Sequence, residues 1–474
     1  MEQHKNTPEA NRLNPSQIVV ALDIGTTKVT AIAGKLNQFG QIEVIGFSNV
    51  FNVGVQQGEI FNLLQTRETV KQAIQDLEKK IGMKVLRVVS GLSGKHIRTY
   101  KTHENIIREN ADEMILEKDV ERLHNRAKEA IALEENEEVI GIFPQYYKVD
   151  THGKVKNPVG MIGKRLEGDF LVVIANKKKI ALLYKSMLEA GIEPVDLFLQ
   201  SMASAEATLT DAHKEAGVVL VDIGGGTTDI LIYKEGRVRY TGVIPYGGDT
   251  ITEEIRNTFQ LLPKAAEKLK IKEGHAYADT VSEQISIQLE MEWDKSVRHI
   301  KAKTLAYVIQ NKMELIASKI MEAITEYKQN FPGETINAGL VVTGGGSQMG
   351  SLRQFLEYKT GLTTNIQGPS KHITTMKGLG KMIDQPKFST LVGLLILGLK
   401  DLQANGSRFQ YLAYPEEIKN NAMETEPGNA VQSETVNEPE PGFESEMKNA
   451  NDEHAPKRLG GFFEKLDSFF KKLG

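Results

Sequence analysis

The chain of 474 residues contains no cysteine. This absence excludes a disulfide-stapled secreted scaffold, a zinc site built on thiolates and a cysteine nucleophile. A surplus of positive charge is also missing, because 58 basic residues face 62 acidic residues. This balance argues against a nucleic-acid-binding protein whose affinity depends on a strongly basic surface.

Long apolar segments are missing too. The longest dense apolar run is Leu391–Leu399, whereas a helix that crosses a bilayer needs about 20 apolar residues. The polar stretch Met1–Pro15 lacks the apolar core of a signal peptide. These absences predict a cytoplasmic protein without a transmembrane span, and its length suggests about three domains.

From Ser16 to about Tyr414 the chain is predicted to fold throughout. Apolar runs typical of strand-turn-strand units alternate with segments of helical periodicity, which indicates an α/β architecture. The strand-turn-strand units are Ile18–Ala33 and Val218–Tyr233, and the helices are Thr66–Lys80, Lys178–Ala190 and Lys301–Tyr327.

Residues 415–455 have a different composition, with eleven acidic residues against two lysines. Proline, glutamate, asparagine and serine dominate, so the stretch cannot bury enough apolar surface to offset its ordering entropy. It is predicted to be a disordered acidic linker. The alternative, a surface helix of the folded body, is disfavoured by the spacing of the prolines.

Residues 456–474 carry five basic and two acidic residues, a net charge of +3. A helix of about a dozen residues is marginal in water, so it needs a surface against which to bury its apolar side. Lysines that flank such a stripe predict binding at an anionic lipid surface. The alternative is a helix that docks into a groove of its own body or of a partner. The stripe consists of Phe462, Phe463, Leu466, Phe469, Phe470 and Leu473.

One motif occurs twice, as Val20–Thr27 and Leu220–Thr228, which suggests a duplicated fold with two related lobes. Each copy places an aspartate at a strand end, where Asp23 and Asp222 could bind the hydration shell of Mg²⁺. Glycines in a tight turn let backbone N–H groups approach an anion. One such hairpin alone is better explained as an ordinary β-turn, but two opposed loops can clamp a polyphosphate. The candidate phosphate contacts are Gly25, Thr26, Thr27, Lys28, Gly224, Gly225, Gly226, Thr227 and Thr228.

A third glycine cluster, Thr343–Ser347, follows an apolar strand and precedes the helical Leu352–Tyr358. Without a Cβ, such a loop can pass beneath a flat base or a ribose. The sequence contains neither a P-loop pattern nor a Rossmann glycine fingerprint, so another kind of nucleotide site is predicted. Its candidate contacts are Gly344, Gly345, Gly346 and Ser347.

Together the three motifs resemble the actin/Hsp70/sugar-kinase ATPase superfamily. The resemblance implies two lobes, each built on a βββαβα unit, with Mg-ATP in the cleft between them and Mg²⁺ held through water. It implies that Glu267 and Lys270 contact the nucleoside, although a solvated helix face would explain these charges equally well. It also implies that Gly248 lies at the nucleotide and that Gln200 positions the attacking water.

Other segments are similar to the bacterial cell-division family FtsA, whose inserted domain is called 1C. Ser201-Met202 stands where this family usually has Pro-Leu. The insertion is recognised by Val88–Arg98, a helix over Glu117–Ile131, Phe143–Asp150 and Lys156–Glu167, and the match extends to Gly191–Val195, Gln200–Ala207, Ile244–Asp249 and Val392–Leu395.

The resemblance implies the following division of the chain: lobe 1A at 16–85, 169–208 and 378–414, domain 1C at 86–168, lobe 2A at 209–250 and 335–377, domain 2B at 251–334, the linker at 415–455 and the membrane helix at 456–474.

The predicted function is that of an ATP-binding protein that polymerises and tethers the FtsZ ring to the cytoplasmic face of the cell membrane at the division septum. ATP would favour a closed, assembly-competent state that weak hydrolysis resets. The FtsZ tail would bind domain 2B near Lys312 and Glu314, and 1C would contact neighbouring subunits and later division proteins. Two alternatives remain. A pilus-assembly actin homologue has no need of a C-terminal amphipathic anchor, and a small-molecule kinase would need a further catalytic aspartate motif that the sequence does not offer.

Overall fold

The computed structural model describes residues 13–291, 293–369, 373–375, 380–405 and 411–413. The strands in these residues are β1 (Val19–Ile24), β2 (Lys28–Leu36), β3 (Ile42–Phe51), β4 (Val55–Gln56), β5 (Glu59–Ile60), β6 (Lys84–Val85), β7 (Arg87–Leu92), β8 (Arg98–Ile107), β9 (Glu137–Val149), β10 (Arg165–Asn176), β11 (Glu193–Leu199), β12 (Val218–Ile223), β13 (Thr228–Lys234), β14 (Arg237–Ile244), β15 (Ser286–Glu290), β16 (Val297–Lys301), β17 (Leu340–Thr343), β18 (Thr364–Ile366), β19 (Ile373–Thr375) and β20 (Leu412–Ala413).

The α-helices in the same residues are α1 (Leu63–Ile81), α2 (Glu117–Glu129), α3 (Lys177–Leu188), α4 (Gln200–Thr208), α5 (Asp211–Ala216), α6 (Gly248–Phe259), α7 (Pro263–Glu273), α8 (Ala302–Asn330), α9 (Leu352–Thr360), α10 (Gly380–Ile383) and α11 (Ser389–Asn405). None of the helices in the described part of the chain is both long and apolar enough to span a bilayer.

Two sheets repeat one topology. The first has the strand order β11-β7-β1-β2-β3-β19 and the second has the order β14-β13-β12-β17-β18. Each sheet contains three antiparallel strands that follow one another in the chain, β1-β2-β3 in the first and β12-β13-β14 in the second. Two parallel strands extend each sheet on the side of β1 or β12. The predicted duplication and the α/β class are confirmed by this repeat.

The first strand of each sheet is apolar along its length for a physical reason. Every residue of β1 and of β12 is buried, as expected of central strands that are covered on both faces. Each of these strands carries an aspartate, Asp23 or Asp222, as its last residue but one, next to the hairpin turn.

Helices α4 and α11 cross closely. A Cβ at Gly393 of α11 would lie 1.7 Å from the carbonyl oxygen of Ala203 in α4, so only glycine fits this crossing. Helix α4 is buried from Ser201 to Thr208, whereas its first residue, Gln200, is partly exposed. It follows β11 directly and is therefore held rigidly at the base of both sheets.

The insertion forms a separate three-stranded sheet, β8-β10-β9, with α2 packed against it. Its own core contains Leu123, Ile142, Leu166 and Phe170. The boundaries predicted for the insertion, 86 and 168, differ from those of this sheet. Strand β7 pairs with β1 in the first sheet, and β10 stays paired with β8 and β9 beyond residue 168.

The insertion also contacts the second lobe through two buried arginines on β14. Arg237 donates to the carbonyl oxygens of Pro144 and Gln145, both at 3.0 Å, and Arg239 donates to Gln145 O at 3.1 Å. The insertion is therefore joined covalently to the first lobe and packed against the second.

The predicted helices agree with the structure to within a few residues. The predicted helices correspond to α1, α2, α3, α8 and α9, each within three residues at both ends. Residues 251–334, the predicted domain 2B, contain α8 and the two-stranded sheet β15-β16. Strand β19 lies in the range predicted for the second lobe, yet it pairs with β3 of the first sheet. The predicted linker and membrane helix lie outside the described residues.

Candidate functional site

The two aspartate hairpins have the same turn. Gly25 N donates to Lys28 O at 2.9 Å in the first hairpin, between β1 and β2. Gly224 N donates to Thr227 O at 2.9 Å in the second hairpin, between β12 and β13. Lys28 therefore occupies in the first hairpin the place that Thr227 occupies in the second.

Different elements support the two turns from behind. Asn52, at the end of β3, donates its side-chain amide to Gly25 O at 2.8 Å. In the second hairpin the backbone N–H groups of Gly248 and Asp249, at the start of α6, donate to Gly224 O at 2.9 Å and to Gly225 O at 2.8 Å. Both loops are thus fixed from the side opposite the cleft.

The hairpins face each other across a cleft that contains about 990 Å³ of space free of protein atoms, including the part open to solvent. Most of the predicted ligand contacts line it together. They are Asp23, Gly25, Thr26, Thr27, Lys28, Gln200, Asp222, Gly224, Gly225, Gly226, Thr227, Gly344 and Gly345. Their roles toward a ligand remain predictions.

Six of the predicted contacts lie outside this lining. Thr228 is the first residue of β13, and its buried hydroxyl donates to Tyr246 O at 2.8 Å. Its threonine neighbour in the sequence, Thr227, is the one that reaches the cleft. Gly248 supports the second hairpin from behind through its backbone N–H.

Glu267 and Lys270 join α7 to α6. Lys270 Nζ lies 2.7 Å from the Glu267 carboxylate, and it donates to Gly248 O at 2.9 Å and to Thr252 Oγ1 at 2.7 Å. Lys270 is 9% exposed. In this structure both charges are therefore occupied in holding the start of α6.

The third glycine cluster reaches the cleft only in part. A Cβ at Gly344, which has φ +87°, would lie 2.3 Å from the Asp222 carboxylate, so glycine is required there. Gly346 packs against Ile223, and the buried Ser347 hydroxyl donates to Gly344 O at 2.8 Å. The last two residues stabilise the loop that brings Gly344 to Asp222.

Three buried carboxylates face the cleft. Burial raises the pKa of Asp23 to about 6, against the opposing effect of Lys28. Burial also raises the pKa of Asp222, and it raises the pKa of Asp229 to about 7, with a further contribution from the other two aspartates. Such mutual repulsion favours binding of a cation between them.

Neighbouring side chains orient these carboxylates. Gln200 Nε2 donates to Asp23 Oδ1 at 3.0 Å. The hydroxyls of Ser204 and Thr390 both donate to Asp222 Oδ2, and the Ser93 hydroxyl donates to Asp229 Oδ1 at 2.7 Å. Because Gln200 and Ser204 both belong to α4, one buried helix contacts the aspartates of both lobes.

A basic residue stands among these acids. Burial lowers the pKa of Lys28 to about 8, although Asp23 opposes the shift. Lys28 Nζ donates to the backbone oxygen of Lys387 at 2.6 Å and lies 4.4 Å from the centre of the Phe388 ring. The residues 386–390, before and at the start of α11, therefore close one wall of the cleft.

The donor set fits a hydrated Mg²⁺ rather than a directly coordinated ion. Among the residues that the structure describes, no three His, Cys, Asp or Glu side chains converge as direct ligands would. Mg²⁺ usually keeps several of its waters and is held by one or two carboxylates together with phosphate oxygens. Asp23 and Asp222 are placed for this role.

Several residues of the cleft were not predicted as site residues. Asp229 belongs to the second motif, and its acidic side chain directly after two threonines could have marked it. Ser93, His96, Glu59 and Lys179 also line the cleft. These four come from three separate segments, the β7–β8 loop, β5 and α3, so only the three-dimensional fold unites them.

The family model described as "Cell division protein FtsA" matches residues 219–393, and that described as "SHS2 domain inserted in FTSA" matches residues 94–174, which include β8, β9 and α2. The chain is 32% identical over 377 residues to cell division protein FtsA of Neisseria meningitidis serogroup B, covering 80% of this chain and 89% of the relative. It is 30% identical to the FtsA of Escherichia coli K12, covering 82% of this chain and 92% of that protein.

A solved structure supports the fold independently. A chain of the PilM-PilN type IV pilus biogenesis complex superimposes with a TM-score of 0.59 at 15% identity, over 80% of this chain and 98% of that chain. At this level of identity the likeness concerns the fold alone.

Proposed function

We propose, from the premise that this chain belongs to the FtsA family of cell-division proteins, that it binds ATP between its lobes, polymerises and tethers the FtsZ ring to the inner face of the cell membrane. The observation that carries the nucleotide part is the pair of identical turns that face each other across one cleft. Glycine-rich turns on both sides can surround a polyphosphate with backbone donors.

The two hairpins share the proposed binding chemistry. Lys28 and the hydroxyls of Thr26 and Thr27 are suited to phosphate oxygens, while Asp23 and Asp222 would hold the water shell of Mg²⁺. A bound Mg²⁺ would neutralise phosphate charge and relieve the repulsion between the buried carboxylates. The residues of this chain orient the phosphates, and α4 keeps the two aspartates in fixed positions.

Hydrolysis is proposed to be slow. Gln200 lines the cleft, but its amide already donates to Asp23. This hydrogen bond holds the Gln200 amide against Asp23, and only its second N–H and its side-chain oxygen remain to orient an attacking water. We therefore expect ATP to favour the closed, assembly-competent state, and hydrolysis to reset it on a longer timescale.

The membrane contact is proposed from the sequence of residues 456–474. The apolar stripe that runs from Phe462 to Leu473 and the five basic residues fit a helix lying in the headgroup region of anionic lipid. The acidic stretch 415–455 would then act as a tether between this helix and the body.

The FtsZ tail is proposed to bind the region 251–334, and the insertion is proposed to contact neighbouring subunits and later division proteins. Lys312 and Glu314 of α8 are both already paired, since Lys312 Nζ lies 3.0 Å from Glu254 and Glu314 lies 3.0 Å from Lys359 Nζ. These pairs are partly exposed, so an incoming tail would compete with weak surface ion pairs.

The tether is tested by co-sedimentation with liposomes that contain anionic lipid, in the presence of Mg-ATP and with or without FtsZ. The full chain should pellet with lipid and carry FtsZ with it, whereas a chain that ends at Ala455 should stay in the supernatant. Phe470→Asp should lose lipid binding, and Ser468→Asp, which adds the same charge off the stripe, should retain it. Equal pelleting of the shortened and full chains contradicts the anchor, and FtsZ that never follows the full chain contradicts the tether.

A further inference from the structure

A buried histidine in the wall of the cleft lacks the hydrogen bonds expected of it. His96 lies in the loop between β7 and β8, and its side chain is 8% exposed. Among the described residues, neither of its ring nitrogens has a hydrogen-bond partner. A buried polar group without a partner is costly, and this ring lines the cleft, where a ligand could provide the missing partner.

Two charged residues that also line the cleft lie beside the ring. Glu59 Oε1 lies 3.4 Å from His96 Nδ1 without hydrogen-bond alignment, and the Glu59 carboxylate lies 2.8 Å from Lys179 Nζ. Gly94 has φ +135°, and a Cβ there would lie 2.8 Å from His96 Nδ1. The loop therefore requires glycine at the position against which the imidazole rests.

The same loop reaches the point where the two hairpins meet. A Cβ at Gly58 would lie 3.0 Å from Gly94 Cα and 3.2 Å from the Thr227 methyl group, so these three residues are in close contact. Gly58 N donates to Thr26 Oγ1 at 3.3 Å. His96 is thus adjacent, through Gly94 and Gly58, to one residue of each hairpin.

The charged residues around the ring affect how it would interact with an anion. Burial lowers the pKa of His96, although Glu59 opposes the shift. Burial raises the pKa of Glu59, but the hydrogen bond and the charge of Lys179 outweigh it and hold this carboxyl below its ordinary value. A phosphate group between the hairpins would favour an N–H donor directed at it, because hydrogen bonds to charged groups are stronger than those between neutral groups.

We propose that His96 donates a hydrogen bond to the terminal phosphate of a nucleoside triphosphate in the cleft and thereby discriminates triphosphate from diphosphate. The inference rests on the proposed nucleotide binding. A terminal phosphate supplies the partner that the buried ring lacks, and a diphosphate leaves the ring as it is in the ligand-free cleft.

The test measures the affinities of a non-hydrolysable ATP analogue and of ADP, both with Mg²⁺, by isothermal titration of the full chain. His96→Ala should lower the affinity for the triphosphate analogue about tenfold or more and leave the ADP affinity within about twofold. His96→Gln, which keeps an N–H donor, should restore part of the loss. His103→Ala, at an exposed histidine of the insertion, should change neither affinity.

A second measurement is made on the wild-type chain and covers the case in which His96→Ala does not fold. In the wild-type chain with ¹⁵N-labelled histidine, the His96 ring signals, assigned with His96→Gln, should shift with the triphosphate analogue and stay in place with ADP. Equal losses for both nucleotides, no loss for either, or ring signals that shift equally with both, would overturn the inference. A wild-type chain that binds neither nucleotide would instead overturn the proposed nucleotide binding, and this inference with it.

Discussion

The two hairpins share a backbone and differ in chemistry. Each closes with the same hydrogen bond, of 2.9 Å, from a glycine N–H to the carbonyl oxygen three residues later. The first hairpin carries two threonines and Lys28 in its turn, and the second carries two glycines and Thr227. Duplication thus preserved the turn while the side chains diverged.

The divergence distributes charge across the cleft. The cation Lys28 belongs to the first hairpin, whereas the second strand of the second hairpin contributes the additional carboxylate Asp229. Thr30 stands in the first hairpin where Asp229 stands in the second, opposite the aspartate of the preceding strand. Each hairpin therefore carries the shared aspartate, to which the first adds a cation and the second adds another carboxylate.

The largest expected effect comes from the shared aspartate of the second hairpin. Asp222→Asn removes the charge proposed to hold hydrated Mg²⁺, and we expect Mg-ATP affinity to fall about a hundredfold or more. Titration calorimetry with and without Mg²⁺ measures it, and Asp211→Asn, on the exposed start of α5, serves as the matched control. Unchanged affinity would remove Asp222 from its proposed role.

The next largest effect on Mg-ATP affinity distinguishes Lys28 from Thr227, which occupy the same position in the two turns. Lys28→Met should lower Mg-ATP affinity about tenfold or more, because it removes a buried cation from the phosphate site. Thr227→Val should lower it only a few-fold, because a neutral hydroxyl is lost. Equal losses in the two variants would show that the turns do not differ in function in the way that their charges indicate.

A third prediction concerns pH and the extra carboxylate. Because the folded-state pKa of Asp229 is raised from 3.8 to about 7, the stabilisation from its protonated form is complete below pH 4 and is lost as the pH rises through 7. Without nucleotide or Mg²⁺, Asp229→Asn should be more stable than the wild type at pH 8, by on the order of 2–4 kcal/mol. At pH 5, which is still above the unfolded-state pKa, the difference should shrink to roughly 1.5 kcal/mol.

Urea unfolding at both pH values measures this difference. The comparison of variant with wild type at each pH removes the contribution of Asp23 apart from its charge interaction with Asp229. A difference in midpoint that is independent of pH would mean that Asp229 is not protonated in the folded protein at low pH.

The smallest expected effects distinguish a threonine that stabilises the fold, Thr228, from one that lines the cleft, Thr27. Thr228→Val removes the buried hydrogen bond to Tyr246 O and should cost about 1 kcal/mol of stability without changing nucleotide affinity. Thr27→Val, at a residue that lines the cleft, should lower the affinity a few-fold. Urea unfolding and calorimetry on both variants check this, and a loss of affinity in Thr228→Val would restore that threonine to the site.

The sequence was informative where function depends on local motifs. The repeated aspartate motif predicted two related lobes and a cleft with Asp23, Asp222 and the glycine turns, because a tight turn after a buried strand has few possible geometries. The motif placed Thr228 at the cleft because the two copies were aligned on their threonine pairs. The hydrogen bonds of the turns instead align Gly25 with Gly224, and so Lys28 with Thr227.

Other features depend on contacts between distant segments. Lys270, paired with Glu267, donates a hydrogen bond to the start of α6, about twenty residues earlier in the chain. The spacing of the two charges in the sequence does not reveal this contact. His96, Glu59 and Lys179 meet only because β5, α3 and the β7–β8 loop converge beside the hairpins. The continuation of β10 beyond residue 168 likewise follows from its pairing with two partner strands.

The central claim, that both hairpins hold one ligand, is tested most directly by hydrogen–deuterium exchange of the full chain with and without a non-hydrolysable ATP analogue and Mg²⁺. We expect peptides that span residues 23–28 and 222–229 to become protected together, at the same ligand concentration. Protection of one hairpin alone, or of neither at saturating ligand, would contradict the account.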